Sequence, residues 1–151
     1  LVYRAGEAPG AIDFQDAVIG PITYDLVSLL RDCYVRWPDQ QVRAWACAYL
    51  KDGASKLGLQ DIEEHQFLRW FDWMGLQRHI KVLGIFARLS LRDGKHRYLN
   101  DLPMVIGYVM DVAKQYPEAS EFVALFENKL MPFVQRQAWF SSESSDTGMA
   151  L

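Results

Sequence analysis

Cysteine is scarce: the 151 residues hold only Cys33 and Cys47, too far apart for a local metal knuckle and outside any CxxC arrangement. Isolated thiols of this kind are expected to be free and buried in a reducing cytoplasm. Long apolar runs are also lacking. The longest, Met104 to Met110, is interrupted by Gly107 and reads as core, well short of the roughly 20 residues that span a bilayer. No charged, apolar and small-residue succession of a signal peptide is present. Charge of one sign is missing too. The formal net charge is −3 with both signs interspersed, so no basic stripe marks a nucleic-acid surface. Neither nucleic acid nor membrane is therefore expected as a partner, and the expected location is cytoplasmic. The three histidines, His65, His79 and His96, do not cluster, and no His-x₃-His, Cys/His, Ser-His-Asp or Gly-x-Ser-x-Gly pattern occurs.

Half of the residues are hydrophobic, including five Trp, seven Tyr and eight Phe, enough for one domain with a substantial core. Leu1 to Arg4 reads as a short strand, Gly6 to Gly10 as a turn, and Ala11 to Phe14 as the returning strand. Helical spacing then takes over. Thr23 is a plausible N-cap, with Asp25 in the first turn. Tyr24, Val27, Leu30 and Tyr34 recur on one face until Pro38 stops the helix near Trp37. A second helix opens at Asp39 and runs to Lys56 or Leu57, with Gly58 as its stop. A third, capped by Asp61, carries Phe67 through Leu89, with a break expected near Gly75 and an end at Asp93-Gly94. Leu102 to Tyr116 and Glu118 to Trp139 supply the last helical patterns, with Pro132 expected to kink the second. No internal repeat is visible. The expected fold is mainly α with a short N-terminal β-hairpin, one domain over residues 1–140 and a Ser-rich disordered tail over 141–151.

One stretch near the N-terminus carries chemistry: Gly10-Ala11-Ile12-Asp13-Phe14-Gln15-Asp16-Ala17. Ile12 and Phe14 alternate with polar neighbours as in a half-buried strand, so Asp13 and Asp16 fall where the strand turns into a loop. Hard cations such as Mg²⁺ take one or two such carboxylates together with phosphates and water. On spacing alone the simpler account is that Asp13 caps a turn and Asp16 is solvated.

The continuation changes that balance. The run Ile-Asp-Phe-Gln-Asp-Ala, followed by Gly-Pro-x-Thr-Tyr-Asp-Leu-x-Ser-Leu-Leu, spans Ile12 to Leu30 with Arg31-Asp32 behind it. It resembles the aminoglycoside phosphotransferase (kinase-like) family, and most closely the group of bacterial cell-wall-recycling kinases that act on the anomeric hydroxyl of N-acetylmuramate and N-acetylglucosamine. The resemblance implies the C-terminal lobe of a protein-kinase-like fold, with ATP and Mg²⁺ as cofactors and Asp13 as the metal ligand on the nucleotide phosphates. It gives Asp25 the role of bracing the catalytic loop from a helix start, although Asp25 also serves its own helix dipole. Asp16 is either an outer-sphere partner of the metal or a loop anchor. The family's nucleotide loop, its phosphate-binding Lys and its His-x-Asp-x-x-x-x-Asn catalytic loop are not in this sequence. The family's register places the catalytic loop just upstream of Leu1, and the chain lacks an initiator Met. The expectation is a C-terminal fragment that lacks its N-terminal lobe and general base and is inactive alone.

A second stretch, Arg69 to Leu89, also resembles the cell-wall sugar kinase group. Sugar sites combine an aromatic face with carboxylates, amides and Arg for the hydroxyls. Asp72, Trp73, Gln77 and Arg78 supply those types within two helical turns, and His79 stands beside them. The alternative for each is a buried helix with core aromatics and surface ion pairs. The expected function is ATP-dependent transfer of a phosphoryl group to a hydroxyl of a small polar acceptor, foremost an amino sugar. An aminoglycoside or choline-type acceptor, or a non-catalytic kinase-like binding module, is the rival.

Overall fold

The computed structural model describes Gly6 and residues 18–141. The expected hairpin over Leu1 to Phe14, and with it Asp13 and Asp16, lies outside the described residues, as does nearly all of the expected tail. Among the described residues the fold is helical and contains no strand.

Helix α1 (Thr23–Leu30) buries Thr23, Leu26, Val27 and Leu30, the i, i+3, i+4, i+7 stripe of a helix with one face on a core. Its ends differ from the sequence expectation. Ile22 holds the N-cap position without a side-chain cap, and Thr23 is already helical and buried. The helix also stops at Leu30, not near Pro38. Arg31 leaves helical geometry at φ −126°, ψ 57°, and its side chain enters the interior beside Asp72 at 2.8 Å. That inward turn leaves Tyr34, Val35 and Trp37 on an exposed connection.

Helix α2 (Asp39–Leu57) ends where expected, before Gly58 at φ +68°, a left-handed conformation that glycine adopts without a Cβ penalty. It buries Val42, Ala46, Cys47 and Leu50. Helix α3 (Glu64–Asp93) starts three residues after Asp61, with Glu63 before it, and closes at Gly94, φ +65°. It runs through Gly75 without the expected break. Gly75 serves close approach instead: a Cβ there would stand 3.3 Å from Arg31 Nη1 and 3.8 Å from Val27 Cγ1.

A 3₁₀ turn at His96–Asp101 leads to α4 (Leu102–Ala113), which carries Pro103 in its first turn and is buried around most of its circumference. The expected single helix over Glu118 to Trp139 is broken up. A 3₁₀ turn at Pro117–Ala119 and α5 (Ser120–Leu125) precede a wide π turn at Phe126–Leu130. Short helices α6 (Met131–Val134) and α7 (Ala138–Ser141) follow. Pro132, at the start of α6, lacks the N–H that would close a regular turn behind it.

Two apolar clusters hold these elements. One joins Leu26, Val27 and Leu30 of α1, Val42, Ala46 and Leu50 of α2, and Phe67 and Phe71 of α3. The other joins Leu76 and Phe86 of α3 to α4, Ala119 and Phe126. Helix α3 is common to both. No helix among the described residues is long and apolar enough to cross a membrane.

Candidate functional site

Between the two clusters sits a buried carboxylate. The apolar stripe of α3 passes through position 72, between Phe71 and Leu76, so Asp72 faces inward and is 1% exposed. A lone charge there is costly, and three elements answer it. Arg31 Nη1, from the end of α1, lies 2.8 Å from Asp72 Oδ1. That contact lacks hydrogen-bond alignment, so it acts as a charge pair. Arg43 of α2 donates to Oδ2 at 3.3 Å, and the Tyr116 hydroxyl donates to the same oxygen at 2.7 Å. Asp39 spans both guanidiniums, 3.4 Å from Arg31 and 2.9 Å from Arg43, and Gln115 Oε1 accepts from Arg43 at 2.9 Å. Burial, with the hydrogen bond to Asp72 added, pushes the Tyr116 phenol far above its ordinary range, so it stays a donor at neutral pH.

Two helical turns further along α3, His79 is also buried. Its Nε2 donates to the Arg31 carbonyl at 3.0 Å, and Nδ1 has no hydrogen-bond partner. The imidazole stacks on Tyr108 of α4, with centroids 4.7 Å apart and planes 2° from parallel. Burial, and next the nearby Arg31, Arg78 and Arg36, hold its pKa below the usual histidine value against the opposing bond to the Arg31 carbonyl. His79 is thus neutral and ties the end of α1 to α3.

The remaining residues expected on the acceptor side face elsewhere. Trp73 and Gln77 line an open, mainly apolar groove of about 380 Å³ along α3 with Leu76, Ile80 and Lys81. Arg69 lies over Trp73 at 5.7 Å and pairs with Glu118 at 2.8 Å. Arg78 lies over the Tyr24 ring at 4.3 Å, beside the exposed Asp25 in the first turn of α1. The five side chains therefore do not converge on one surface. Asp72 and His79 are engaged inside the chain, Trp73 and Gln77 share a groove, and Arg78 reaches toward α1.

A different set does converge. The connection after α1, with α2 and α4, encloses a cavity of mixed polar and apolar lining, about 240 Å³, bounded by Arg36, Trp37, Asp39, Tyr108, Asp111 and Gln115, with Arg31 and apolar Val42 and Val112 behind. Arg36 lies against α4. Its guanidinium lies 4.8 Å over the Tyr108 ring and pairs with Asp111. A Cβ at Gly107 would come within 2.8 Å of Arg36 Nη1, so glycine at that helical position gives the guanidinium its seat. The Tyr108 hydroxyl donates to the Val35 carbonyl at 3.3 Å and fixes the connection from below. Trp37 meets Trp45 edge-on at 5.6 Å and stays half exposed.

Sequence reasoning did not find this cavity, because its walls come from residues far apart in the chain. One signal was available. Arg31 continues the apolar stripe one turn beyond Val27, where only a side chain with a buried partner fits. The thiols are free as expected, Cys47 buried and Cys33 half-buried. Burial raises both to about 11, aided by Asp32 beside Cys33 and by Glu64 beside Cys47.

Residues 1–68 match the model of the phosphotransferase enzyme family. A protein of Neisseria meningitidis serogroup B named N-acetylmuramate/N-acetylglucosamine kinase is 48% identical over 118 residues, covering 78% of this chain and 35% of its own length. A protein of the same name from Pseudomonas putida is 45% identical over 75% of this chain and 33% of its own length. One from Caulobacter vibrioides is 34% identical over 84% of this chain. The chain spans about a third of the length of these curated relatives. No solved structure matches it significantly. Residues 1–68 therefore carry the pattern of the phosphotransferase enzyme family, and three quarters of the chain is 45–48% identical to kinases of the name given above.

Proposed function

We propose that this chain is the C-terminal part of an ATP-dependent kinase that transfers the γ-phosphoryl group to a hydroxyl of an amino sugar, with N-acetylmuramate and N-acetylglucosamine as acceptors at the anomeric position. The reading is carried by the stretch Ile12 to Asp32, which lies inside the family match, and is supported by the kinase name shared by relatives 45–48% identical. Asp13 holds Mg²⁺ on the nucleotide phosphates, with Asp16 in its outer sphere or anchoring the loop. The donor chemistry fits, since carboxylate oxygens are the hard ligands that Mg²⁺ takes. Bound there, the metal neutralises charge on the transferring phosphoryl group.

Asp25 braces the neighbouring loop from the exposed start of α1. The helices beyond Asp61 contribute to the acceptor side. There Asp72 and His79 act by holding Arg31 and the end of α1 in place, while Trp73, Gln77 and Arg78 offer exposed or half-buried surface. Since the chain spans a third of its relatives' length, the general base and the nucleotide-binding lobe belong to the rest of the protein. By itself the chain is inactive. The two free thiols suit a cytoplasmic setting.

Replacing Asp13 by Ala in the intact protein tests the reading. Phosphorylation of both amino sugars should be lost while the melting temperature changes little. Near-normal turnover in that variant sinks the metal assignment, and turnover of neither sugar by the wild type sinks the acceptor assignment.

A further inference from the structure

We propose that the cavity between α2, α4 and the connection after α1 is a subsite for the acceptor, and that Arg36 in it reads a carboxylate carried by acidic amino sugars. This deepens the kinase reading above and rests on it. The two acceptors proposed there differ in one respect that matters to a guanidinium: N-acetylmuramate carries a lactyl carboxylate, and N-acetylglucosamine is neutral. An enzyme that uses both needs hydroxyl and ring contacts common to the two, and a cation near the lactyl group favours the charged one.

The cavity supplies both kinds of group. At about 240 Å³ it is of the size that holds part or all of one sugar ring rather than a large antibiotic, since sites for drug-sized ligands run to roughly 300–1,000 Å³. Trp37, half exposed and perpendicular to Trp45, lines the cavity with an indole, the kind of aromatic surface on which the C–H side of a sugar packs. Asp39 and Asp111 provide acceptors for hydroxyls, beside the Gln115 amide, which Arg43 and the Asp111 carbonyl hold in place. Arg36 is the one cation in the lining that is both exposed and fixed. Its side chain is 46% exposed, and it is seated on α4 over the Tyr108 ring, in the space that Gly107 leaves. A pre-set planar fork is what bidentate carboxylate recognition requires. Arg31 does not compete for this role, because it is 3% exposed and committed to Asp72 and Asp39. The partner of Arg36 is replaceable by contrast: Asp111 is 59% exposed, and an exposed ion pair of this kind is weak and exchanges readily for another carboxylate.

The experiment compares kcat/KM for N-acetylmuramate and N-acetylglucosamine in the intact enzyme and in R36Q and R36K. Removal of a charge-assisted pair predicts that R36Q lowers the acidic-to-neutral ratio about ten-fold or more. R36K, which keeps the charge and loses the fork, should fall between R36Q and the wild type. Melting temperatures report whether each variant is folded, and R36K carries the test should R36Q fail to fold. An unchanged ratio in folded R36Q overturns the assignment, as does an equal drop in R36Q and R36K, which removes charge as the cause. Wild-type turnover of neither sugar overturns the kinase reading and the subsite together, whereas turnover of both with an indifferent ratio overturns the subsite alone.

Discussion

At the scale of single residues, Asp72 has the most unusual surroundings. It is a carboxylate with almost no exposure, two guanidiniums and a phenol within hydrogen-bonding or pairing distance. Burying such a group is unfavourable until it is paired, and removing one partner of a buried pair leaves the other stranded. D72N keeps the shape and removes the charge, which leaves Arg31, at 3% exposure, with only the longer ion pair to the exposed Asp39. It should cost about 3–5 kcal/mol, read from urea unfolding. D111N, at the exposed pair with Arg36, should cost within about 1 kcal/mol. Similar costs for the two would show that Asp72 is not part of a structural keystone and would return it to the substrate surface. The inward placement of Asp72 was not read from the sequence, which offered it as a substrate contact or a surface ion pair, although Leu68, Asp72, Gly75 and His79 share helical spacing along α3. Its partners were not visible: Arg31, Arg43 and Tyr116 come from other elements, and no local pattern pairs them.

At the scale of elements, the helices were legible where local chemistry decides and illegible where tertiary contacts override it. Gly58 and Gly94 ended α2 and α3 at positive φ, and Pro103 opened α4, each by a backbone property of the residue itself. The end of α1 was misread because Tyr34 and Trp37 continue an apolar spacing, while the buried pairing of Arg31 with Asp72 turns the chain away earlier. The break expected at Gly75 failed for a related reason. The glycine makes room for that same guanidinium and does not bend the helix. Two glycines of α3 therefore behave differently on substitution. Gly84 is exposed with nothing near an added Cβ, so G84A should stabilise by about 1 kcal/mol through helix propensity. At Gly75 the same gain meets Arg31, which Asp72 and Asp39 hold in place. G75A should thus be less stable than G84A by at least about 1 kcal/mol in thermal or urea unfolding. Equal stabilisation by both would mean that Arg31 yields freely and that Gly75 has no packing role.

At the scale of the whole molecule, the two apolar clusters share one helix and little else. Phe67 and Phe71 of α3 belong to the cluster with α1 and α2, whereas Leu76 and Phe86 belong to the cluster with α4 and Phe126. The Asp72 network crosses between them, since Arg31 and Arg43 come from the first side and Tyr116 from just beyond α4. The cavity proposed for the acceptor has one wall on each side, Asp39 on α2 and Asp111 on α4, so its shape depends on the clusters moving as one body. This makes a global prediction from a local change. F71A removes a fully buried ring and should destabilise by about 3–5 kcal/mol. If α3 couples the clusters, native-state hydrogen exchange of the intact protein should show lost protection in α4 as well as in α1 and α2, with the middle of α3 slowest to exchange in the wild type. Loss confined to α1 and α2 would mean that the clusters open independently. The cavity walls would then be free to separate, and a sugar would have to bring them together on binding.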